Sequence, residues 1–200
     1  MPQYPRLDNA GGLWKLPEIA NYRIGGFWPD VGSRALMGGG REPSASNIID
    51  FVEIASTGNA TDFGDLQSTK YNMAAASNGT RGIFMGGYDG YPNQSNVTID
   101  TAGNAADFGN LTAGRGATTG MSNRVRGLAA GGGDNTVGYS NVIDHFAIAS
   151  LGNAADFGNL TQSRGQGSSV NNATRGIHAG GIIATNNNQD TIDFIEIAST

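Results

Sequence analysis

Hydrophobic and polar positions recur along this chain with a period of 45 to 49 residues. An arginine, a small residue and an apolar stretch run into a glycine pair at four places, which begin at Arg34, Arg81, Arg126 and Arg175. A second signature, Gly-Asn-Ala-x-Asp-Phe-Gly-x-Leu, begins at Gly58, Gly103 and Gly152. Repetition at this length indicates a supersecondary unit that buries its faces against copies of itself.

Each unit predicts four short strands, which we label a to d. Strand b runs from the arginine to the glycine pair, and strand d contains the Asp-Phe pair. Strand c has apolar residues on both alternating faces, as expected between stacked sheets, and covers Asn47–Ala55, Asn141–Ala149 and Asp190–Ala198. Strand a is the more polar stretch containing Lys70, Arg115 or Arg164. Four short strands per period without helical periodicity predict an all-β fold, a propeller of about four short blades.

The repeats occupy residues 33–200, in units that start near residues 34, 81, 126 and 175, whereas residues 1–32 do not match them. The second unit is shorter, and its strand c lacks the apolar part present in the others. The last blade is incomplete, because the sequence ends at Thr200 before a strand d, and the first has no recognisable strand a. The missing strands come from residues 1–32, from another subunit or from a longer natural chain, since an unpaired edge is a liability in water.

Composition excludes several classes of function. The 12 basic and 17 acidic residues give a net charge of −5 with no basic cluster, which disfavours nucleic acid as a partner. Cysteine is absent, so disulfides and thiolate metal ligands are excluded. No apolar run reaches the roughly 20 residues of a membrane span, so we expect no membrane insertion.

The polar residues of the repeats predict structural roles, and we expect no enzymatic activity, no cofactor and no metal site. Catalytic carboxylates must converge on one centre, whereas one aspartate recurs per blade, at Asp62, Asp107 and Asp156. We expect these aspartates to cap turns or to pair with the repeated strand-b arginines across blades. The histidines, His145 and His178, lie in different units and are expected to pack or face solvent.

The glycine pair after a strand, the variable loop behind it and the aromatic strand d resemble kelch repeats. Phenylalanine stands where kelch repeats carry tryptophan, and the tyrosine after the glycine pair survives only as Tyr88. Repeats of the form TRGxxxGG…NxIDxxxIASxGNAxDFGxL look like the kelch-like repeats in structural proteins of tailed phages, especially marine and cyanobacterial ones. The resemblance implies a virion protein assembled in the host cytoplasm, a tail fibre or another host-facing appendage that adheres to the host surface.

Residues 1–32 contain both tryptophans and are the candidate segment for docking to other virion proteins. The candidate docking residues are Trp14, Phe27 and Trp28. Alternatively, this segment packs onto the end of the propeller and seals it. In the particle we expect the protein to be oligomeric. A different function would be purely architectural, as a capsid decoration or tail connector without receptor binding; a polysaccharide depolymerase is the least favoured reading.

The segments between strands b and c share almost nothing between units, so they are free to carry a binding site for a host surface glycan or protein. Tyrosine rings stack on sugar faces, and amide or carboxylate groups bond to sugar hydroxyls. The candidate binding residues in these segments are Tyr88, Asp89, Tyr91, Asp134, Asn135, Tyr139 and Asn187. The alternative is that these segments are simply solvated turns.

Overall fold

The computed structural model describes residues 34–88, 90–134, 138–185 and 187–198, and within them the chain is all-β. Its strands are β1 (Arg34–Gly38), β2 (Ser46–Glu53), β3 (Thr61–Lys70), β4 (Ala74–Ser77), β5 (Arg81–Met85), β6 (Asn93–Thr98), β7 (Ala106–Asn110), β8 (Thr119–Ser122), β9 (Arg126–Ala130), β10 (Gly133–Asp134), β11 (Gly138–Tyr139), β12 (Val142–Ala147), β13 (Ala155–Asn159), β14 (Ser168–Asn171), β15 (Arg175–Ala179) and β16 (Ile192–Glu196). In these ranges no helix has the length and apolar character needed to cross a membrane. The docking segment 1–32, with Trp14, Phe27 and Trp28, lies outside the described residues.

Each repeat unit forms one antiparallel sheet. The second sheet has the order β4-β5-β6-β7 and the third β8-β9-β12-β13, which is the predicted order a, b, c, d. The first sheet, β1-β2-β3, has no described strand a, and the fourth, β14-β15-β16, has no described strand d. β10 and β11 pair as a small hairpin between strands b and c of the third unit. Among the described residues no closed propeller ring is found.

Two details of the strand prediction were wrong. Strand a begins four residues after Lys70, Arg115 and Arg164, because these cations turn into the interior and the small residues that follow them form the strand. Strand c of the second unit is not shortened, since β6 and β12 both have six residues. Its sequence, Asn-Gln-Ser-Asn-Val-Thr, is polar, yet Gln94 and Ser95 are buried.

The core lies between successive sheets, in three apolar clusters. Between the first and second sheets lie Ile49, Phe63, Leu66, Phe84 and Val97. Between the second and third lie Ala74, Ala76, Ile83, Met85, Phe108, Leu111, Ala129, Phe146 and Ile148. Between the third and fourth lie Met121, Leu128, Ala130, Ile143, Leu160, Ile195 and Ile197. Strand c thus buries both faces wherever it has a sheet on each side.

The Gly-Asn-Ala signature joins each sheet to the one before it. Gly152 N donates to Phe108 O at 2.9 Å and Ala154 N to Asn110 O at 2.8 Å, while Asn153 Oδ1 accepts from Asn110 N at 3.0 Å. The same three bonds join the second unit to the first, through Gly103, Asn104 and Ala105. The repeated motif is therefore an inter-sheet clamp.

The strand-b arginines also act between units, though not as predicted. Arg81 donates to Ile148 O at 2.8 Å and Arg126 to Ile197 O at 3.0 Å, each carbonyl belonging to the following unit. Two of the strand-b arginines also pair with a glutamate of their own unit, Arg34 with Glu53 and Arg175 with Glu196. Of the two roles expected for Asp62, Asp107 and Asp156, no ion pair with an arginine is found among the described residues, whereas Asp156 Oδ1 accepts from Gly158 N at 3.3 Å within its own turn.

Candidate functional site

Two sets of loops meet at one end of the sheets, because strands a to d alternate in direction. They are the loops between strands b and c and the loops between strand d and the next strand a. Tyr88 N donates to Tyr71 O at 2.9 Å and Gly133 N to Gly116 O at 2.7 Å, which joins the two sets. We call this surface the loop end: residues 39–45, 71–73, 86–92, 112–118, 131–141, 161–167 and 180–191, within their described parts.

An aromatic cluster occupies the loop end of the first two units. The rings of Tyr71 and Tyr88 stack with centroids 4.8 Å apart and planes inclined by 22°. The Arg41 guanidinium lies over Tyr71, 5.1 Å from the ring centroid, and donates to its hydroxyl at 3.1 Å. Tyr88 was predicted as a binding residue, while Arg41 and Tyr71 were not. Tyr91, which was also predicted as a binding residue, follows Tyr88 by three residues and is 53% exposed.

The other predicted binding residues are more scattered. Tyr139 ends the β10–β11 hairpin, and its ring lies against Gly165. Asn187 is exposed and donates to Thr185 Oγ1 at 3.0 Å, so it stabilises its own loop. Asp134 belongs to β10, whereas Asp89 and Asn135 lie outside the described residues. The structure therefore brings Tyr88 into a cluster and leaves Tyr139 and Asn187 in separate loops.

An open cavity of about 350 Å³ lies beside this cluster, between the loops that precede β4, β8 and β14. Its walls are Asn72, Met73, Ala117, Thr118, Gln166 and Gly167, with no charged side chain. Thr118 is 7% exposed, and its hydroxyl has no hydrogen-bond partner among the described residues. A buried hydroxyl without a partner costs free energy unless a ligand or water satisfies it. The Thr118 hydroxyl is sealed from solvent, so the groups that can meet a ligand are the neutral amides of Asn72 and Gln166, which suit a neutral, hydrogen-bonding group.

Three of the residues that line the cavity have a left-handed backbone conformation. Asn72, Ala117 and Gln166 have φ of 54°, 51° and 59°, and they occupy the same position in successive units. Ala117 N donates to Asn72 O at 2.8 Å and Gln166 N to Ala117 O at 3.0 Å. Such backbone costs roughly 1–3 kcal/mol for a residue other than glycine and persists only where its surroundings enforce it. The cavity wall is thus held rigidly by its neighbours.

Buried ion pairs lie directly beneath the loop end. Arg115 Nη2 is 3.0 Å from Asp144 Oδ2, and Arg164 Nη2 is 2.9 Å from Asp193 Oδ2, with all four side chains at most 8% exposed. In both pairs a threonine gives the carboxylate two further hydrogen bonds, from its backbone N and from its Oγ1. Thr112 donates to Asp144 in this way, and Thr161 donates to Asp193. Each arginine comes from the preceding unit's d–a loop and each aspartate from strand c.

Lys70, the last residue of β3, occupies the position that corresponds to Arg115 and Arg164. It is 4% exposed and donates to Asn93 O at 3.4 Å. Burial lowers the pKa of Lys70, while the carboxylate of Asp107 acts in the opposite direction. The sequence analysis did not predict that Lys70, Arg115 and Arg164 are buried. Their constant spacing of eleven residues before a strand-b arginine was the signal that could have identified them.

In the first three units, the glycine pair that ends strand b bonds to the backbone carbonyl of a buried cation, which holds the start of the b–c loop in place. Gly86 and Gly87 have φ of 67° and 131°, a region that side chains rarely adopt. Gly87 N donates to Arg115 O at 3.4 Å, and a Cβ on Gly86 would collide with that carbonyl. Gly86 therefore has neither the φ nor the space for a side chain, whereas at Gly87 the positive φ alone disfavours one.

Both histidines pack against neighbouring residues, one of the two predicted roles, but they differ in burial. His178 is buried, and its Nδ1 lies 2.7 Å from Thr119 Oγ1, while Nε2 has no partner among the described residues. His145 is partly buried and packs edge-on against Phe157, with centroids 5.7 Å apart. In the described ranges no group of three or more His, Cys, Asp or Glu side chains is placed to hold a metal ion.

We expect His178 to make the protein acid-sensitive. Burial, with the nearby charge of Arg164, lowers the pKa of His178 from 6.5 to about 4, against the opposing effect of Asp193. The neutral ring therefore stabilises the fold fully above about pH 6.5, and this contribution is lost as pH falls through 4, up to about 3 kcal/mol.

Denaturant unfolding at pH 7 and pH 4 measures this effect. His178→Leu should reduce the loss of stability on acidification, whereas the control His145→Leu should retain it. An unchanged acid dependence in His178→Leu would contradict the assignment.

No family model and no curated protein sequence matches the chain.

Proposed function

We propose that this chain is a non-enzymatic virion protein of a tailed phage, which presents its loop end to the host surface. The single observation that supports this best is the Arg41, Tyr71 and Tyr88 cluster beside an uncharged cavity. Stacked aromatic faces next to hydrogen-bonding groups suit a sugar, and the absence of charge from the cavity wall favours a neutral glycan. The resemblance of the repeats to phage proteins supplies the virion setting.

We further propose that the four sheets are consecutive blades of a kelch-like propeller. Support comes from the sheet order a, b, c, d and from the position of strand a in each unit. β4 lies against β8, and β8 against β14, with Ser122 Oγ donating to Ser77 O at 2.9 Å and Asn171 Nδ2 to Ser122 O at 2.5 Å. Strands a that face one another successively are expected where blades surround a common axis.

The division of the sequence between scaffold and surface agrees with this function. Residues that recur between units make the inter-sheet clamp, the apolar clusters and, in the third and fourth sheets, the buried ion pairs. Tyr71 and Tyr88 do not recur, since Gly116 and Gly165 stand where Tyr71 would be repeated. A scaffold that repeats and an end that varies is the arrangement typical of binding proteins built on a rigid frame.

The test uses tyrosines of the loop end. Tyr88→Ala, Tyr91→Ala and Tyr139→Ala together should lower binding of the purified chain to host cells at least several-fold, because they remove the aromatic faces. Tyr91→Ala alone should change the stability by no more than about 0.5 kcal/mol, as is usual at exposed loop positions, whereas Tyr88 and Tyr139 are partly buried and should contribute a larger part of any fall in melting temperature.

A matched control lies at the opposite end of the sheets. Val125 and Leu151 are 69% and 64% exposed there, in the a–b and c–d turns of the third unit. Val125→Ala with Leu151→Ala should leave binding unchanged. Equal binding by the tyrosine variant and the control would contradict a binding site at the loop end.

An architectural virion component without receptor binding is the second candidate, and one observation favours it. The fourth sheet exposes an apolar face in which Val170, Ile177 and Phe194 are cross-strand neighbours. Val170 and Phe194 are 67% and 66% exposed, and Ile192 beside them is 68% exposed. Exposed apolar faces of this kind mark protein contacts. If the loop-end variant binds host cells normally but substitution of Phe194 blocks particle assembly, this second function replaces the first.

A further inference from the structure

The three junctions between successive sheets have the same construction. We call the face that a sheet turns toward the following sheet its front face, and the face toward the preceding sheet its back face. At each junction a front face packs on a back face and forms an apolar cluster. Within the described part of the chain, the back face of the first sheet and the front face of the fourth lie outside these junctions. They correspond to the two halves of one further junction.

The back face of the first sheet exposes apolar side chains at positions that are buried in the other three sheets. Met37 on β1 is 45% exposed, and Ile54, which directly follows β2, is 65% exposed. The pairing of strands b and c identifies their equivalents, all at most 6% exposed: Phe84, Ala129 and His178 for Met37, and Ile99, Ile148 and Ile197 for Ile54. The first sheet therefore has a back face of the kind that a preceding sheet covers elsewhere in the chain.

The front face of the fourth sheet is apolar and exposed in the same way. Val170 on β14, and Ile192 and Phe194 on β16, are 66% to 68% exposed. The equivalents of Val170 and Ile192 in sheets that have a following sheet are all buried: Ala76 and Met121 for Val170, and Ile49, Gln94 and Ile143 for Ile192. Exposed apolar faces of this kind mark protein contacts.

The strand-b arginines show which polar bond belongs to a junction. Three of them donate through Nη1, at 2.8 to 3.3 Å, to the carbonyl of the back-face isoleucine in the following sheet: Arg34 to Ile99, Arg81 to Ile148 and Arg126 to Ile197. Arg175 of the fourth sheet bonds Glu196 through Nε and Nη2, and its Nη1 makes no hydrogen bond to another described residue. Arg34 also bonds a glutamate, Glu53, through Nε while its Nη1 crosses the junction. The Arg175 pair with Glu196 is therefore compatible with the same crossing bond.

We propose that the front face of the fourth sheet binds the back face of the first sheet in a second copy of this chain. The contact repeats the junctions inside the chain, with the apolar side chains of the fourth sheet facing Met37 and Ile54, and with Arg175 Nη1 donating to Ile54 O of that copy. Because the two faces differ, the association is head to tail, and it closes into a ring or continues as a filament. This inference assigns a partner to the apolar face of the fourth sheet and holds whether or not the loop end binds a host.

Complementation between two variants tests the head-to-tail contact. Ile192→Glu with Phe194→Glu alters the front face, and Met37→Glu with Ile54→Glu alters the back face. In analytical ultracentrifugation the unaltered chain should self-associate, and each variant alone should do so at least about tenfold more weakly, because carboxylates would be buried in the junction. An equimolar mixture of the two variants should form a 1:1 complex, since each supplies the face that the other lacks.

A matched control carries the same charges in turns of the third unit. Val125→Glu with Leu151→Glu alters two exposed apolar residues there and should leave self-association unchanged. Circular dichroism establishes that each variant is folded. An unaltered chain that stays monomeric at about 0.1 mM, or folded variants that do not combine on mixing, would overturn the proposal.

Disulfide cross-linking tests the register of the contact. A Cβ at Gly176, on the back face of the fourth sheet, would lie 3.4 Å from Met121 Cβ on the front face of the third, close to the separation in a disulfide. The equivalent positions across the proposed contact are Ala35 and Val170, and the chain has no cysteine.

A mixture of Ala35→Cys and Val170→Cys chains should form the mixed covalent dimer far faster than a mixture of Ala35→Cys and Val125→Cys chains. Mass spectrometry identifies the mixed dimer. Equal rates for the two mixtures would also contradict the head-to-tail contact.

Discussion

Asp144→Ala is expected to lower the free energy of unfolding by about 3–5 kcal/mol, the usual cost of removing one partner from a buried ion pair. The Asp144 carboxylate is fully buried and accepts from Arg115 and from the backbone N and Oγ1 of Thr112. Its loss leaves a buried guanidinium without a counter-charge at the junction between the second and third sheets. Denaturant unfolding followed by circular dichroism measures the change.

Two further variants separate this effect from simple loss of packing. Asp144→Leu combined with Arg115→Met should recover most of the stability, because well-packed apolar residues replace a buried pair at little cost. Glu196→Ala acts on the exposed pair with Arg175, whose side chains are 46% and 54% exposed, and should cost less than about 1 kcal/mol. If Asp144→Ala costs no more than Glu196→Ala, the junction does not depend on its ion pair.

Phe108→Ala is expected to cost about 3–5 kcal/mol, because it opens a cavity in the cluster between the second and third sheets. The ring is 2% exposed and meets Phe146 edge-on, with centroids 5.5 Å apart. Thermal and denaturant unfolding report the loss.

Alanine substitutions of two other phenylalanines give reference values for the stability loss of Phe108→Ala. Phe157 has the equivalent place in the third sheet but is only partly buried, so Phe157→Ala should cost less. Phe194 is 66% exposed, and Phe194→Ala should stay within about 0.5 kcal/mol. A loss for Phe108 no larger than that for Phe194 would contradict the packing of strand d between sheets.

The repeat itself made strands b, c and d predictable. Strand b of each unit ends at a glycine pair with positive φ, and strand d contains the buried Phe63 and Phe108. Strand a was misplaced because its residues are small or polar, as in Ala-Ala-Ala-Ser of β4, and carry no period-2 pattern. It is defined by contact with the neighbouring strands a, which a local sequence pattern does not encode.

The candidate site was only partly predictable for a similar reason. Tyr88 follows a glycine pair and was found in the variable b–c loop. Tyr71 lies after strand d, in a loop whose proximity depends on strand direction in the whole sheet. The buried cations were missed because Arg115 and Arg164 lie in polar sequence, and only their aspartate partners, 29 residues later in each case, explain their burial.

We propose above that this chain is a virion protein whose loop end faces the host. Antibodies raised against the loop end, used for immunogold electron microscopy of purified particles and in an adsorption assay, test it most directly. We expect label on a tail appendage and inhibition of adsorption by the bound antibody, with no inhibition by antibodies against the a–b and c–d turns. Particles without label, or label confined to the capsid with normal adsorption, would contradict it.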